Sequence, residues 1–334
     1  MWNIEKYGDE FSKMTENYKK FNIFASVKIL FALTLFAVVM HNIVVFYPSL
    51  LSSVLHSIQI IYKTVFCVIF PYMVTAQIIC TADFYSLIPD FLKKIYVKIF
   101  GVSYKTVTAF VMGNLCGYPI GAKILCEQYK ANQISRKEAE YMLPWCTNSS
   151  PAFVIGTIGA VIFANVKAGI ILFAVQILSA VICAFFFAPD DSPSTGKIHM
   201  QKTKPFAKIL SDSCISVLEI SGTVLIFNLF VTMIKNSINL FNIPNTISNI
   251  IATVLCCVFE ITNGVISLGG YTCNPMLFAA VAAADCWSGI SVLMQVKMIL
   301  FGTDIKCGIY IKRKVIQSLA AAFMMYAAAV YFGL

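Results

Sequence analysis

Residues 113–123 read Gly-Asn-Leu-Cys-Gly-Tyr-Pro-Ile-Gly-Ala-Lys, and residues 146–159 read Cys-Thr-Asn-Ser-Ser-Pro-Ala-Phe-Val-Ile-Gly-Thr-Ile-Gly. Both stretches place helix-breaking Gly, Pro, Asn and Ser residues inside otherwise apolar sequence. In the hydrocarbon core of a bilayer, a broken helix is tolerated only where protein or a water-filled cavity covers its backbone. Broken apolar segments in matched positions therefore indicate where a membrane transporter holds its solute.

The composition indicates an integral membrane protein in a lipid bilayer. The 334 residues are 59% hydrophobic and 12% charged, whereas a soluble protein carries about 25% charged residues. The net charge of +9 reports on membrane topology, and we find no nucleic-acid motif and expect no nucleic-acid partner. The twelve Cys are scattered through apolar segments without paired metal-ligand spacing. We therefore expect neither a metal nor a cofactor.

The lengths of the apolar stretches predict an all-α polytopic fold with about seven spans and two re-entrant helical hairpins. The hairpins are residues 105–130, interrupted at 117–121, and residues 245–272, interrupted at 260–264 and 269–270. Each hairpin arm is shorter than the roughly 20 residues that a crossing needs. The predicted spans are residues 24–47, 54–80, 149–164, 167–187, 209–234, 276–300 and 313–333.

Two shorter helices are predicted between these segments. Residues 81–104 carry Lys93, Lys94 and Lys98 among apolar side chains, which is typical of an amphipathic helix at the membrane interface. Ser135 and Glu138 match a capping box, so a short helix should start there.

Basic residues predict the orientation of the chain in the membrane. With seven spans and two hairpins, all five basic clusters fall on one side, and the positive-inside rule places the N-terminus in the cytoplasm. Without the first span, each half reads span, hairpin, span, span in opposite orientation, which is an inverted repeat. The clusters are residues 6–20, 93–105, 130–137, 197–208 and 306–314. The predicted parts are residues 1–50 (surface segment and first span), 51–190 (first repeat), 191–208 (cytoplasmic linker) and 209–334 (second repeat).

The first interruption supplies candidate ligands for an anion. Lys123 either lies at the interface or places a positive charge beside helix N-termini, which suit a carboxylate. The Asn-Ser-Ser stretch before Pro151 serves as a helix cap, as a set of ligand donors, or as both. The candidate substrate-binding residues of the first half are Gly117, Tyr118, Pro119, Gly121, Lys123, Asn148, Ser149 and Ser150.

The second half supplies a matching set that would gate or couple transport. Glu260 follows an apolar run, and an acid at membrane depth is a functional hypothesis by default, the alternative being an interfacial cap. The role of Glu219 stays open, and Asp285 is predicted to be interfacial. The candidate residues of this half are Glu260, Thr262, Asn263, Ser291 and Gln295.

Gly113, Gly117 and Gly121 recur at intervals of four residues. This spacing fits either the tip of a broken helix or a small-residue ridge for helix packing. Pro119 argues against one continuous helix through all three. A tip tolerates Ala better than Leu, whereas a packing ridge suffers from both.

The same residues resemble the YlbJ-type sporulation integral membrane proteins, which belong to the nucleoside-recognition or gate domain family. The resemblance rests on residues 117–123, 146–159, 260–264 and 289–295. The chain departs from the family at Ser288, where a Gly is expected, and at Leu293, where a His is expected. The resemblance implies a gate fold related to concentrative nucleoside transporters. It also implies a role in endospore formation, in moving dipicolinate from the mother cell towards the forespore.

The resulting hypothesis is a membrane transporter for a small anionic solute, dipicolinate by resemblance, in the cell membrane or the outer forespore membrane. A nucleoside or ion carrier of the gate family and a non-transporting sporulation scaffold remain alternatives. We expect no enzyme, because the chain has no HExxH motif and no Ser/His constellation. The sequence leaves open whether the chain forms a homo-oligomer.

Overall fold

In a computed structural model of the chain, residues 26–81, 88–189, 205–240 and 244–334 are described, and all of their regular elements are helices. We number these helices in chain order. They are α1 (Ser26–Val45), α2 (Tyr47–Ile60, continued by the π-helical Ile61–Ile69 and by Phe70–Thr81), α3 (Asp90–Phe100), α4 (Val107–Cys116), α5 (Ile120–Lys130), α6 (Arg136–Met142), the π-helix Ala152–Ile162, α7 (Val166–Phe186), α8 (Phe206–Asn239), α9 (Asn245–Phe259), α10 (Ile261–Leu268), α11 (Pro275–Trp287), α12 (Gly289–Ile299) and α13 (Gly308–Phe332).

The predicted all-helical membrane fold is confirmed. Within the described residues, six helical segments are long and apolar enough to cross a bilayer, and α3 with Tyr104–Cys116, bent by 96°, makes seven if it is counted as one span. The six are Ser26–Val45, Tyr47–Thr75, Val166–Phe186, Phe206–Ile238, Pro275–Ile299 and Gly308–Phe332.

The predicted span at residues 149–164 is shorter than a crossing requires. It forms the π-helix Ala152–Ile162, which has 11 residues. Even at the rise of an α-helix it would reach about 16 Å, roughly half the thickness of the hydrocarbon core. It packs against α7, where the backbones of Gly159 and Gly169 approach closely. This helix therefore pairs with a span and does not form one.

The first predicted hairpin is present, and the interruption at its tip is shorter than predicted. α4 and α5 pack against each other and are joined by residues 117–119 alone. Gly117 has φ +84°, a left-handed conformation that favours glycine, and the Tyr118–Pro119 peptide bond is cis. Gly121 lies inside α5, where it faces Gly113 of α4, and both glycines pack against the Cys146 carbonyl. Gly117 is thus the tip, while Gly113 and Gly121 form the packing ridge.

The second predicted hairpin is also present, and Glu260 alone interrupts it. Glu260 has extended backbone angles (φ −147°, ψ 116°) between α9 and α10. The predicted interruption over residues 260–264 is too long, because the Glu260 carboxylate accepts from the N–H groups of Thr262 and Asn263 and restarts the helix at once. Gly264 lies in α10, where its backbone approaches Cys257 of α9. Gly269 and Gly270 follow the end of α10, as predicted.

A third interruption divides the predicted span 276–300. Ser288 (φ 67°) and Gly289 (φ 86°) are both left-handed, and they separate α11 from α12. A Cβ on Gly289 would lie 3.1 Å from the carbonyl oxygen of Phe259, at the tip of the second hairpin. This break was not predicted, although the Ser288-Gly289 dipeptide is a turn signal, because the apolar pattern continues on both sides of it.

A polar network outside the candidate spans anchors the open end of the first hairpin. The predicted capping box is confirmed, since Glu138 N donates to Ser135 Oγ at 3.2 Å and Ser135 N to Glu138 Oε2 at 2.8 Å. The Tyr129 hydroxyl donates to Asp304 at 2.6 Å and holds the pKa of that carboxyl below its usual range. Tyr129 thereby links α5 to the segment before α13.

Parts of the predicted organisation lie outside the described residues. These parts are most of the N-terminal surface segment and residues 191–204 of the predicted linker, whereas α8 already begins at Phe206. The predicted interfacial helix corresponds to α3, whose Phe91, Leu92 and Ile95 are exposed.

Candidate functional site

The two hairpin tips and α12 line one cavity of about 400 Å³, which we call the central cavity. Seven of the thirteen predicted site residues line it, although they come from distant parts of the chain. They are Gly117, Tyr118, Ser150, Glu260, Thr262, Ser291 and Gln295.

The cavity has mostly apolar walls and a few polar groups. Val65 and Ile69 of α2, Ile220 and Val224 of α8 and Phe153 of the π-helix form the apolar part. Apolar walls with a few convergent polar groups are typical of a small-molecule site.

Two ionisable side chains, one basic and one acidic, line this cavity. Among the described residues that line the cavity, His56 is the only basic side chain and Glu260 the only carboxylate. No motif surrounds His56 in the sequence, so it was not among the predicted site residues. Its position on α2, which is remote in sequence from both hairpins, explains why no local pattern revealed it.

Glu260 occupies the N-terminus of α10. Its Oε1 accepts from Thr262 N at 3.1 Å and its Oε2 from Asn263 N at 2.8 Å. The side chain of Asn263 donates to Asn228 Oδ1 of α8, so Asn263 lies beside α8 and does not line this cavity. The N-terminus of α10, which would attract a solute anion, is therefore already capped by the carboxylate of Glu260.

Three predicted residues of the first hairpin lie away from the cavity lining. Pro119 is the N-cap of α5, and Gly121 packs against the Cys146 carbonyl. Lys123 Nζ lies 3.9 Å from Glu127 Oε1 on the same helix, and Lys123 is absent from the described lining. The positive charge that the sequence placed beside the tip is thus paired along α5.

Asn148 and Ser149 belong to a buried polar cluster behind the cavity. Asn148 Nδ2 donates to Asn114 Oδ1 of α4 at 2.9 Å, and Asn148 Oδ1 accepts from Gln317 Nε2 of α13 at 3.0 Å. Ser149 Oγ donates to Asp285 Oδ1 of α11 at 2.6 Å. Residues 148–150 were predicted to bind solute together, but they occupy two different positions in the structure. Ser150 lines the cavity, and the other two hold α4, α11 and α13 together.

Lys314 is the central cation of this buried cluster. Its Nζ donates to the Thr147 carbonyl at 3.1 Å, to Asn148 Oδ1 at 3.0 Å and to Gln317 Oε1 at 3.0 Å. The sequence analysis assigned Lys314 to a basic cluster before the last span. In the structure it lies inside α13 and is 0% exposed. Residues 147–149 are not helical, and the ammonium satisfies two of their buried acceptors, the Thr147 carbonyl and the Asn148 side-chain oxygen.

Asp285 of α11 is fully buried inside the protein. Its Oδ2, like Oε1 of Gln176, has no donor among the described residues, and both side chains contact Ser149. The cluster can therefore accept a further proton or a hydrogen-bond donor next to Ser149. Two sequence features could have indicated this cluster. One is the acid Asp285 inside an apolar helix, and the other is the pair Lys314 and Gln317 on one helical face.

Similarity to a known protein extends over most of the chain. Over an alignment of 305 residues the chain is 25% identical to the sporulation integral membrane protein YlbJ of Bacillus subtilis strain 168, covering 79% of this chain and 74% of that protein. The chain is similar to YlbJ. This similarity confirms the resemblance that the motifs predicted, and with the apolar helices it supports an integral membrane protein. No protein-family model matches the chain, and no solved structure matches it.

Proposed function

We propose that the chain carries a small anionic solute across a membrane and acts in sporulation, the process in the name of YlbJ. One observation carries the proposal. The tips of two helical hairpins meet α12, the second part of a broken helix, at one cavity in a chain with at least six candidate spans. Discontinuous helices that meet at a shared site are characteristic of secondary transporters.

Dipicolinate is our specific proposal for the solute. The cavity volume of about 400 Å³ lies within the usual range for small-molecule sites, about 300–1,000 Å³. A flat aromatic ring fits between the apolar walls, and its carboxylates would bind the hydroxyl groups of Ser150 and Ser291, the amide of Gln295 and His56. The assignment to dipicolinate comes from the family resemblance, and the cavity chemistry agrees with it.

Glu260 gives the second hairpin a gating role in this proposal. A carboxylate of the solute would compete with Glu260 for the N–H groups at the start of α10. Displacing Glu260 would free the hairpin tip from its own cap, and Asn263 would transmit the change to α8 through Asn228. In this proposal Thr262 and Asn263 act together with Glu260.

A neutral nucleoside is the second candidate, and Glu260 favours it. A carboxylate in the lining repels an anionic solute, while it accepts hydrogen bonds from the hydroxyl groups of a ribose. The two candidates therefore respond differently to removal of this charge.

Glu260→Gln should separate the two solutes. We expect dipicolinate to bind about tenfold more tightly, because removal of a nearby like charge is worth about 1.4 kcal/mol or more. Uridine should change by less than about threefold, since only hydrogen bonds are exchanged. The measurement is the dissociation constant of each solute for purified protein. Glu219→Gln is the control, because Glu219 lies in α8 outside the cavity lining.

Uptake of labelled dipicolinate and uridine into liposomes completes this test. Uridine uptake without dipicolinate uptake would establish the nucleoside alternative. Well-folded protein that neither binds nor transports either solute would favour the scaffold alternative.

Lys123→Gln tests whether the lysine beside the first tip contributes to binding. Because Lys123 faces Glu127 and does not line the cavity, we expect dipicolinate affinity within about threefold of that of the exposed-charge control Lys130→Gln. A loss of about 30-fold or more relative to that control would place the ammonium at the solute and contradict the geometry.

A further inference from the structure

Two more cavities continue from the central cavity towards the C-terminal end of α8. The second has a volume of about 260 Å³ and shares His56 with the central cavity. The third has a volume of about 450 Å³ and shares Lys235 with the second. The three therefore adjoin in series, from the hairpin tips past His56 to Lys235.

Polar side chains of α2 and α8 line the second cavity. Ser53 and Ser57 of α2 lie four residues apart and accept hydrogen bonds from Thr232 at 2.9 Å and Asn228 at 3.0 Å of α8. Ser49 donates to Asn236 at 3.3 Å, which extends the ladder by one more step. Polar groups inside apolar helices are costly, and they are retained where they pair or face water. The ladder positions α2 beside α8 and leaves Ser52, His56 and Lys235 along the cavity.

The third cavity reaches the surface at the helix ends. It is lined by the exposed residues Thr246 and Asn249, which lie in the first two turns of α9, and by Tyr271. Among the described residues that line the second and third cavities, His56 and Lys235 are the only side chains that can be cationic, and none is acidic. Such a lining raises the local concentration of anions.

We propose that this series of cavities is a hydrated route between the central cavity and the Lys235 end of the molecule, along which an anionic solute passes. His56 stands where the route enters the central cavity, and Lys235 attracts the solute at the outer part. The statement about the solute rests on the proposed function, whereas the presence of water in the route does not. If the route holds no water, the exposed Ser52 and His56 contact either lipid tails or a second copy of the chain.

The test uses two cysteine variants on the same helix. Ser52→Cys lies in the route, while Leu55→Cys is also at an exposed position but does not line any of the three cavities. The full-length variants are reconstituted in liposomes and treated with an anionic, membrane-impermeant thiosulfonate, and the modified residue is located by mass spectrometry. We expect Ser52→Cys to react at least about tenfold faster, because a thiolate forms and reacts in water and not in lipid. Equally slow reaction at both positions would overturn the route.

The charge of Lys235 provides a second readout. In the Ser52→Cys chain, Lys235→Gln should slow the anionic reagent by about threefold to tenfold and should not slow a cationic reagent of similar size. A similar loss with both reagents would mean that Lys235 has only a structural part, and it would remove the anion preference from the proposal.

Solute uptake separates failure of the route from failure of the proposed function. Modification of Ser52→Cys should block dipicolinate uptake, and modification of the Leu55→Cys sample should not. If the unmodified protein transports and modified Ser52→Cys transports equally well, the solute does not take this route. If no variant transports while Ser52→Cys still reacts fast, the transport proposal fails and the hydrated route stands.

Discussion

Replacement of Lys314 by Met is expected to lower the free energy of unfolding by about 3–5 kcal/mol. The ammonium is fully buried and donates to three oxygens, two of which belong to the non-helical residues 147–148. Methionine keeps the length of the side chain but leaves these acceptors without their donor, and it leaves Asp285 without the nearby cation. The measurement is thermal or denaturant unfolding of the purified protein in detergent.

Lys312→Met is the matched control for this prediction. Lys312 lies on the same helix two residues earlier and is exposed, so its replacement should change the free energy of unfolding by less than about 0.5 kcal/mol. Combining Lys314→Met with Asp285→Asn should cost less than the sum of the two single changes, with a coupling of about 0.5–3 kcal/mol. Equal stability of the two lysine variants would show that Lys314 is not a central support of the fold.

Gly121→Ala is expected to lower the free energy of unfolding by about 3 kcal/mol, at the upper end of overpacking costs. A Cβ at this position would overlap the carbonyl oxygen of Cys146, and backbone cannot turn aside as a flexible side chain can. The change would also push α5 away from the chain segment that leads to Asn148. Unfolding in detergent measures the loss of stability, and solute binding measures the displacement of the first hairpin.

Gly156→Ala serves as the control for the glycine series. Nothing lies within 4 Å of a Cβ built on Gly156, so alanine there should be neutral or stabilise the chain by up to about 1 kcal/mol. Gly117→Ala should be harmful for a different reason, because φ +84° is unfavourable for a residue with a side chain. If Gly121→Ala is as stable as Gly156→Ala, the close packing of α5 on Cys146 is absent in solution.

Local sequence was sufficient to predict the two hairpins. Gly117 and Pro119 mark the first tip by backbone chemistry alone, and Glu260 marks the second because an acid stands out in an apolar run. Seven of the candidate residues were found in this way and meet at the central cavity. These features depend on the propensities of neighbouring residues, which is the information that a single sequence carries best.

Other features depend on tertiary contacts that no local pattern reveals. Lys314 contacts Asn148, 166 residues away in the sequence, and Asp285 contacts Ser149, 136 residues away. The length of the helix at 152–162 was overestimated, because the apolar residues on either side of it continue the hydrophobic pattern without continuing the helix. The pairing of Lys123 with Glu127 was also missed, although the four-residue spacing on a helix favours it.

The buried cluster of Asp285 and Lys314 also bears on how transport would respond to voltage. As long as the pair takes up no further proton, the sum of its charges is zero, whether both groups are ionised or a proton has passed between them. A rigid movement of α11 with α13 therefore carries no net charge from this pair through the membrane field. Each elementary charge that crosses a potential of 100 mV is worth about 2.3 kcal/mol. With this pair electrically silent, the currents measured during transport would report the charge of the solute itself.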